Sequence, residues 1–258
     1  MSAQDTAIKE GRYIYCIIAA EGPRAFGPLG IGERGDEIYV ISFNGIAALV
    51  SNTLVRNYSV SRENMIAHEK AIEEVMKEYT VLPVRFATIA DDEDEVKSIL
   101  EREYDRFKDL LDKMKDKKEL GLKAIFKEDL IYNDILAKHN DIRNLKEKLK
   151  LLPPAKTYYK RMEIGKMVEE ALESEKEAHR GYILDALSPL AEDVKINNAY
   201  GENMILNAAF LVDKTREAEF DQRVQEFGAK YGDRIKFKYT GTLPPFNFVN
   251  LVIKPEAR

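Results

Sequence analysis

The sequence is poor in the residues that build most metal centres and disulfide frameworks. Its 258 residues include one cysteine, Cys16, three histidines and no tryptophan. A single cysteine excludes an intramolecular disulfide and any cysteine-rich zinc module, so we expect a cytoplasmic protein. The net charge of −5 argues against a protein dedicated to nucleic acids, because such proteins present a basic surface.

Targeting and membrane-spanning segments are also absent from the pattern. The first twelve residues mix acidic, basic and amide side chains, which does not fit a signal peptide. Residues 38–55 contain no charge and just reach the length of a spanning helix. Asn44-Gly45 lies in the middle of this run, and Asn-Gly is the favoured pair for a type I′ turn. We therefore predict a β-hairpin here and no lipid membrane partner.

Hydrophobic residues make up 45% of the chain, enough for one or two globular domains. In the first half, residues 13–20 form a β-branched and aromatic run that predicts a buried strand. Ser61 is a candidate N-cap for a helix, and residues 81–89 predict a strand in which Pro83 favours an edge position or an irregular start. A long helix is predicted from residue 91 to 114. This order predicts one mixed sheet with helices on one face.

The second half predicts another α+β unit. A strand at 120–126 and a helical stretch at 128–151 end at Pro153-Pro154, which cannot continue a helix. The elements predicted beyond this break are a helix at 157–187, strands at 194–199 and 204–212, a helix at 217–231, and strands at 235–240 and 248–253. Counted from residue 120, the order is the β-α-β-β-α-β of a ferredoxin-like fold.

The predicted fold class is therefore α+β with two units. The first is a modified ferredoxin-like mixed sheet with helices, the second is ferredoxin-like, and a helical segment joins them. The predicted domains are residues 1–126 and 157–258, with a connector at 127–156. Residues 120–126 can also join the sheet of the C-terminal domain.

Two motifs suggest ligand sites, and neither has the required context. Residues 30–35 (GIGERG) match a dinucleotide-binding pattern, but they precede a predicted strand instead of opening a helix. The acidic run at 91–95 has no calcium-ligand spacing, and carboxylates are favoured in the first turn of a helix. We interpret the first motif as a surface loop and the second as a helix start.

The histidines and the cysteine also have a structural interpretation. His68, His139 and His179 have no second ligand at metal spacing, and two of them fall on or beside apolar helix stripes. Cys16 lies inside an apolar strand and is expected to be a core residue. No catalytic motif is evident, and we predict no catalytic residue, no cofactor and no metal site.

The strongest local charge lies between residues 143 and 166, where eight basic residues accompany two acidic ones. Three interpretations remain open. The stretch can be a solvated helical surface, a patch for an acidic protein partner, or a site for nucleic acid. Only Tyr158 and Tyr159 interleave the basic residues, and no nucleic-acid-reading signature surrounds them.

Several segments of the chain, taken in order, resemble the gas vesicle GvpF/GvpL family. They are residues 13–18 (YIYCII), 67–69 (AHE), 81–86 (VLPVRF), 159–165 (YKRMEIG), 206–212 (LNAAFLV) and 239–248 (YTGTLPPFNF). The set spans nearly the whole chain, and the F branch is the nearer one. One departure is Leu243, which stands where the family often has an aromatic residue before the proline pair.

This resemblance implies a minor structural or accessory protein that is not an enzyme. It would take part in gas vesicle assembly, in the cytoplasm or on the gas vesicle. The implied partners are the hydrophobic shell protein and other gas vesicle accessory proteins, with no nucleic acid and no small-molecule substrate. The candidate partner-binding residues are Pro83, Arg85, Phe86, Tyr159, Arg161, Glu163, Pro244, Pro245 and Phe246.

Two other classes of function stay open on sequence grounds. A ferredoxin-like regulatory protein that senses a small molecule would have a pocket for that ligand. An enzyme with scattered active-site residues would gather polar groups with shifted pKa values in one cleft.

Overall fold

A computed structural model describes residues 10–32, 34–54, 58–153 and 157–253. The first nine residues, Pro154 and Lys156, which the sequence analysis uses, lie outside these ranges. The chain forms two compact units, one made of residues 1–119 and 242–258 and the other of residues 120–241. The domain boundaries given above stay a prediction, because compact packing does not test which segments fold independently.

The sheet of the first unit has five strands. They are β1 (Glu10–Ile18), β2 (Ile38–Phe43), β3 (Ile46–Leu54), β4 (Val81–Pro83) and β5 (Ile89–Ala90). The order is β2-β3-β1-β4, and β5 also pairs with β1. All ladders recorded among these strands are antiparallel, so the sheet is antiparallel where we expected a mixed one. The predicted hairpin is confirmed, with Asn44 and Gly45 both at positive φ in its turn.

Three helices complete the first unit. They are α1 (Arg62–Met76), which Ser61 caps as predicted, α2 (Glu93–Arg102) and α3 (Tyr104–Met114). The helix predicted from residue 91 to 114 is thus two helices, because the backbone leaves the helical conformation at Glu103.

Helices lie on both faces of this sheet, so the expectation of one covered face was wrong. Helix α1 packs in the same core cluster as Ala47 and Leu49 of β3. Ala48 and Val50 alternate with them and are also buried, so they point to the opposite face. Helices α2 and α3 contact β3 and lie outside the α1 cluster, which places them on that second face.

The second unit contains four strands and four long helices. In chain order they are β6 (Lys117–Phe126), α4 (Glu128–Lys138), α5 (Asn140–Lys150), α6 (Tyr158–Leu187), β7 (Asp193–Ile196), β8 (Met204–Asp213), α7 (Glu217–Tyr231) and β9 (Ile235–Leu243). The helical stretch predicted at 128–151 breaks at His139. The last predicted strand, at 248–253, was wrong, because only an isolated bridge between Leu251 and Val84 forms there.

Both sheets have the same strand order. In each, the second strand pairs with the third, the third with the first, and the first with the fourth. For the second unit this order fits a ferredoxin-like split βαβ. The units differ between their first and second strands, where the first has a loop and the second has α4, α5 and α6.

Two tyrosines of the central strand β1 organise the core of the first unit. Tyr13 and Tyr15 are fully buried, and their hydroxyl groups are hydrogen-bonded. The Tyr15 hydroxyl accepts the N–H of Ile31 at 2.8 Å and bonds Ser51 at 2.9 Å. The Tyr13 hydroxyl accepts the N–H of Ala87 at 3.0 Å and lies 3.0 Å from Nδ1 of His68.

The hydrogen bonds fix the state of His68. The Tyr13 oxygen accepts a hydrogen bond from the Ala87 N–H, and the Tyr13 O–H is then free to donate to Nδ1 of His68. With Nδ1 as the acceptor, Nε2 bears the proton of the neutral imidazole. Burial lowers the pKa of His68 to about 4, and a polar contact with the Val84 backbone opposes this shift only in part. The imidazole is therefore neutral in the folded protein at pH 7.

This burial predicts a specific dependence of stability on pH. An unfolded histidine takes up a proton near pH 6.5, whereas folded His68 does so only near pH 4. The free energy of unfolding should therefore decrease as the pH falls through this window, by roughly 1 kcal/mol per pH unit. Urea unfolding of the protein at several pH values between 7 and 4 measures the effect.

His68→Gln is the matched variant, because the amide oxygen can accept from Tyr13 and does not titrate. The difference in unfolding free energy between the native protein and this variant should shrink as the pH falls. The control variant, Met65→Gln, introduces the same amide at an exposed position one turn earlier on α1 without removing a titrating group, and should keep the native pH dependence. Parallel pH profiles for the native protein and His68→Gln would contradict the assignment.

Candidate functional site

A groove of about 370 Å³ opens at the edge of the first unit. We name it the apolar groove. Its walls come from three segments, α1, the strand and turn after residue 82, and the C-terminal segment near residue 250. The lining residues are Met65, His68, Glu69, Pro83, Val84, Arg85, Phe86, Phe246, Val249, Asn250 and Leu251.

Backbone hydrogen bonds hold the wall formed by residues 83–87. The Val84 N–H donates to the Tyr15 carbonyl at 2.9 Å, which continues the pairing of β4 with β1. The Arg85 N–H donates to the Leu251 carbonyl at 3.2 Å. Ala87 is held at a positive φ of 63°, and its N–H reaches the Tyr13 hydroxyl. The β1 tyrosine thereby fixes where this wall turns.

The opposite wall depends on a buried carboxylate. Glu119 is 2% exposed and accepts two hydrogen bonds from Asn247, one from the side chain at 2.6 Å and one from the backbone at 2.9 Å. Burial raises the pKa of Glu119, and the bonds from Asn247 oppose the rise. This anchor fixes the residue next to Phe246, whose ring is 40% exposed at the groove.

Two ionisable side chains, Arg85 and Glu69, lie at the rim of the apolar groove. Arg85 is exposed and makes no ion pair with any residue that the structure describes. Glu69 also lines the rim, and burial together with the neighbouring charge of Glu73 raises its pKa. Nε2 of His68 is buried and forms no hydrogen bond of normal geometry with the described residues, although the Val84 backbone is close enough to influence the pKa of the ring. The groove can therefore accept an apolar surface and pair with one acceptor or anion.

The structure brings four of the nine candidate partner-binding residues together here. Pro83, Arg85, Phe86 and Phe246 all line the apolar groove. Pro244 and Pro245 are buried, so they support the segment before Phe246 and do not present a surface.

The other three candidates, Tyr159, Arg161 and Glu163, are exposed on α6 of the second unit. Whether any of the nine residues binds a partner stays a prediction.

Sequence reasoning missed part of the groove. Met65 lies on α1 at helical spacing from the buried His68 and Ile72, yet it is 42% exposed and lines the groove. Val249 and Leu251 were assigned to a strand. The spacing of Met65, His68 and Ile72 does not indicate that Met65 is exposed. Spacing shows which residues share a helix face, but it does not show where that face extends beyond the edge of the sheet.

A second groove of about 370 Å³ lies among α4, α5 and α6 of the second unit. We name it the basic groove. Its apolar lining residues are Tyr132, Leu136, Leu149, Ile164 and Val168, and its basic lining residues are Lys146, Lys150 and Arg161. Arg161 is the predicted candidate that lies here.

The motifs set aside on sequence grounds have structural explanations. Gly30 lies in a loop that leads into β2, and a Cβ on it would come within 2.7 Å of the Asp36 carbonyl oxygen. The side chain of Asp92 caps α2 by accepting the N–H of Glu95. Cys16 is buried, and burial raises the pKa of its thiol.

Within the described ranges, no group of three or more metal-ligating side chains occurs. Nor does any helix in that part of the chain have both the length and the apolar character needed to cross a bilayer.

Comparison with known proteins gives consistent results along the whole chain. Gas vesicle protein F from a Nostoc species is 26% identical over 95% of this chain and 100% of its own length. Gas vesicle protein F from Dolichospermum flosaquae is 27% identical over 93% of this chain and 97% of its own length. Both relatives bear the name of the F branch, as the sequence analysis predicts.

The fold agrees as well. The crystal structure of gas vesicle protein GvpF from Anabaena superposes with a TM-score of 0.81, at 26% identity, over 95% of this chain and 100% of that one. This match confirms the predicted α+β class. The model of the family described as gas vesicle synthesis protein GvpL/GvpF matches residues 11–250. The chain therefore belongs to the GvpL/GvpF family of gas vesicle synthesis proteins.

Proposed function

We propose that this protein acts in gas vesicle assembly by binding the hydrophobic shell protein in the apolar groove. The apolar groove has a mainly apolar lining, and two of its large side chains, Met65 and Phe246, are exposed to solvent. This observation supports the proposal most directly. A shell subunit has to expose apolar surface before it polymerises. A protein that covers this surface keeps the subunit from associating with the wrong partner.

The apolar lining of the groove supplies the contact area for such a partner. A hydrophobic partner would remove this surface from water, at about 25 cal/mol for each Å² buried. Arg85 at the rim would then select a partner with an acidic or carbonyl group at that point.

The chemistry of the groove favours binding over catalysis. His68 is fixed by Tyr13 and is neutral, and none of the lining residues is a serine, cysteine or lysine that could act as a nucleophile. The family description names gas vesicle synthesis and no reaction. We therefore propose an accessory role without a cofactor, in the cytoplasm and at the gas vesicle, with no nucleic acid, lipid membrane or small-molecule substrate as partner.

The first prediction for this role concerns the two exposed groove side chains. Met65→Ser/Phe246→Ser removes apolar contact area while changing no charge, so binding of the shell protein should weaken at least ten-fold, about 1.4 kcal/mol. Co-purification of the shell protein with the tagged full chain, quantified as the molar ratio recovered, measures the loss.

The matched control is Ile196→Ser/Tyr200→Ser, which removes two exposed apolar side chains from the second unit. It should bind the shell protein as the native chain does. Complementation of a gas-vesicle-forming strain that lacks this gene provides the cellular test. The proposed role is refuted if the deletion strain makes normal vesicles and the purified chain does not bind shell protein.

The second prediction concerns the Glu119–Asn247 anchor. Glu119→Ala leaves Asn247 without its acceptor and should reduce the free energy of unfolding by about 1–3 kcal/mol. Binding of the shell protein should weaken as well, because Phe246 loses its neighbouring anchor. Glu119→Gln keeps one acceptor oxygen and should retain more of both properties. Equal binding by the native chain and Glu119→Ala would show that Phe246 does not need this support.

A further inference from the structure

We infer that the basic groove of the second unit binds an amphipathic helix with acidic flanks, supplied by another protein. This site is distinct in chemistry from the apolar groove and does not depend on the function proposed for that groove.

The walls of the groove are three helices that pack against one another. Leu136 comes from α4, Leu149 from α5, and Ile164 and Val168 from α6. These aliphatic side chains form the interior of the groove. Such a surface suits the apolar face of a helix, whose side chains recur every three or four residues.

Cations surround this interior. Lys146 and Arg161 line the groove and form no ion pair with any residue of the described ranges, whereas Lys150 pairs with Glu147 on its own helix. The surrounding segment from 143 to 166 has a net positive charge within a chain of net charge −5. Unpaired cations at the edge of an apolar groove favour a partner that places carboxylates beside its apolar face.

The apolar surface continues outside the groove, which favours a helix over a compact ligand. Tyr158 precedes Arg161 by three residues on α6 and so lies one turn away on the same face. Tyr158 is apolar over most of its ring and is 64% exposed. Residues 158–168 span roughly 15 Å of helix, which is the contact length of about three turns.

The charge and the lining also argue against nucleic acid. Single-stranded nucleic acids need aromatic platforms on which their bases stack. The groove interior is mainly aliphatic, with Tyr132 as its single aromatic lining residue. A peptide helix fits this lining better than a stack of bases.

The test measures binding of a synthetic amphipathic helix to the full chain by isothermal titration calorimetry. The probe is an acetylated and amidated peptide of about five turns, with leucine on one face and glutamate on both flanks. We expect it to bind, and to bind at least ten-fold more weakly when lysine replaces every glutamate. Binding should also weaken as sodium chloride rises from about 50 to about 300 mM.

Lys146→Glu/Arg161→Glu reverses the two unpaired cations and should weaken binding of the acidic peptide at least ten-fold. The matched control is Lys123→Glu/Lys236→Glu, which makes the same change in net charge at two exposed strand residues of the same unit. It should bind within two-fold of the native chain. Met65→Ser/Phe246→Ser should also bind normally, which separates this site from the apolar groove.

Four results would overturn the inference. The acidic peptide could fail to bind, or the lysine peptide could bind as tightly. The two charge-reversal variants could bind equally well. Finally, sedimentation velocity could find that the native chain self-associates and that Lys146→Glu/Arg161→Glu is monomeric, in which case the groove binds a second copy of this chain.

Discussion

The first unit depends on the requirement that the buried hydroxyl groups of β1 find hydrogen-bond partners. Burial of the Tyr13 hydroxyl at the centre of the sheet is costly unless its oxygen accepts one hydrogen bond and its O–H donates another. The N–H of Ala87 and the imidazole of His68 meet these two needs. One side chain thus joins the central strand, the turn after β4 and helix α1, and two of these elements, α1 and the segment after β4, line the apolar groove.

The two sheets have the same strand order but different connections between their first and second strands. The connection between first and second strands is a loop in the first unit, so the sheet relies on α1, α2 and α3 for cover. In the second unit the connection consists of three helices, α4, α5 and α6, where a ferredoxin-like crossover needs one. These helices line the basic groove, and two of its lining cations, Lys146 and Arg161, have no ion pair among the described residues.

Much of the fold could be predicted from the sequence because local chemistry determines it. Asn44-Gly45 specifies its turn through positive φ, Ser61 caps its helix, and Pro83 favours the edge position that β4 occupies. The breaks at Glu103 and His139 were missed, since neither residue is a helix breaker and the apolar periodicity continues across both. The second covered face of the sheet was missed because the order of elements was taken to indicate one face, although the continuous apolar run at residues 13–20 is typical of a strand buried on both.

The candidate site was only partly predictable, for a different physical reason. Phe86 and Phe246 are far apart in sequence, and nothing in either segment indicates that Glu119 and Asn247 join the C-terminal segment to the first unit. Glu119 resembles any other charged residue of a strand until its burial is known. Family resemblance found the segments because it compares whole motifs, but it also selected Pro244 and Pro245, which are buried supports. The family motifs therefore include residues that line the groove as well as buried residues that support it.

The size of the apolar groove constrains how it can act on a polymerising subunit. A groove of about 370 Å³ covers only part of a hydrophobic surface, and binding also costs the translational and rotational freedom of two proteins. If a shell subunit binds there as proposed, much of its apolar surface stays free to pack into a growing shell. A groove of this volume therefore favours transient protection followed by transfer. A larger one would cover more of the subunit and would slow the assembly that it is proposed to assist.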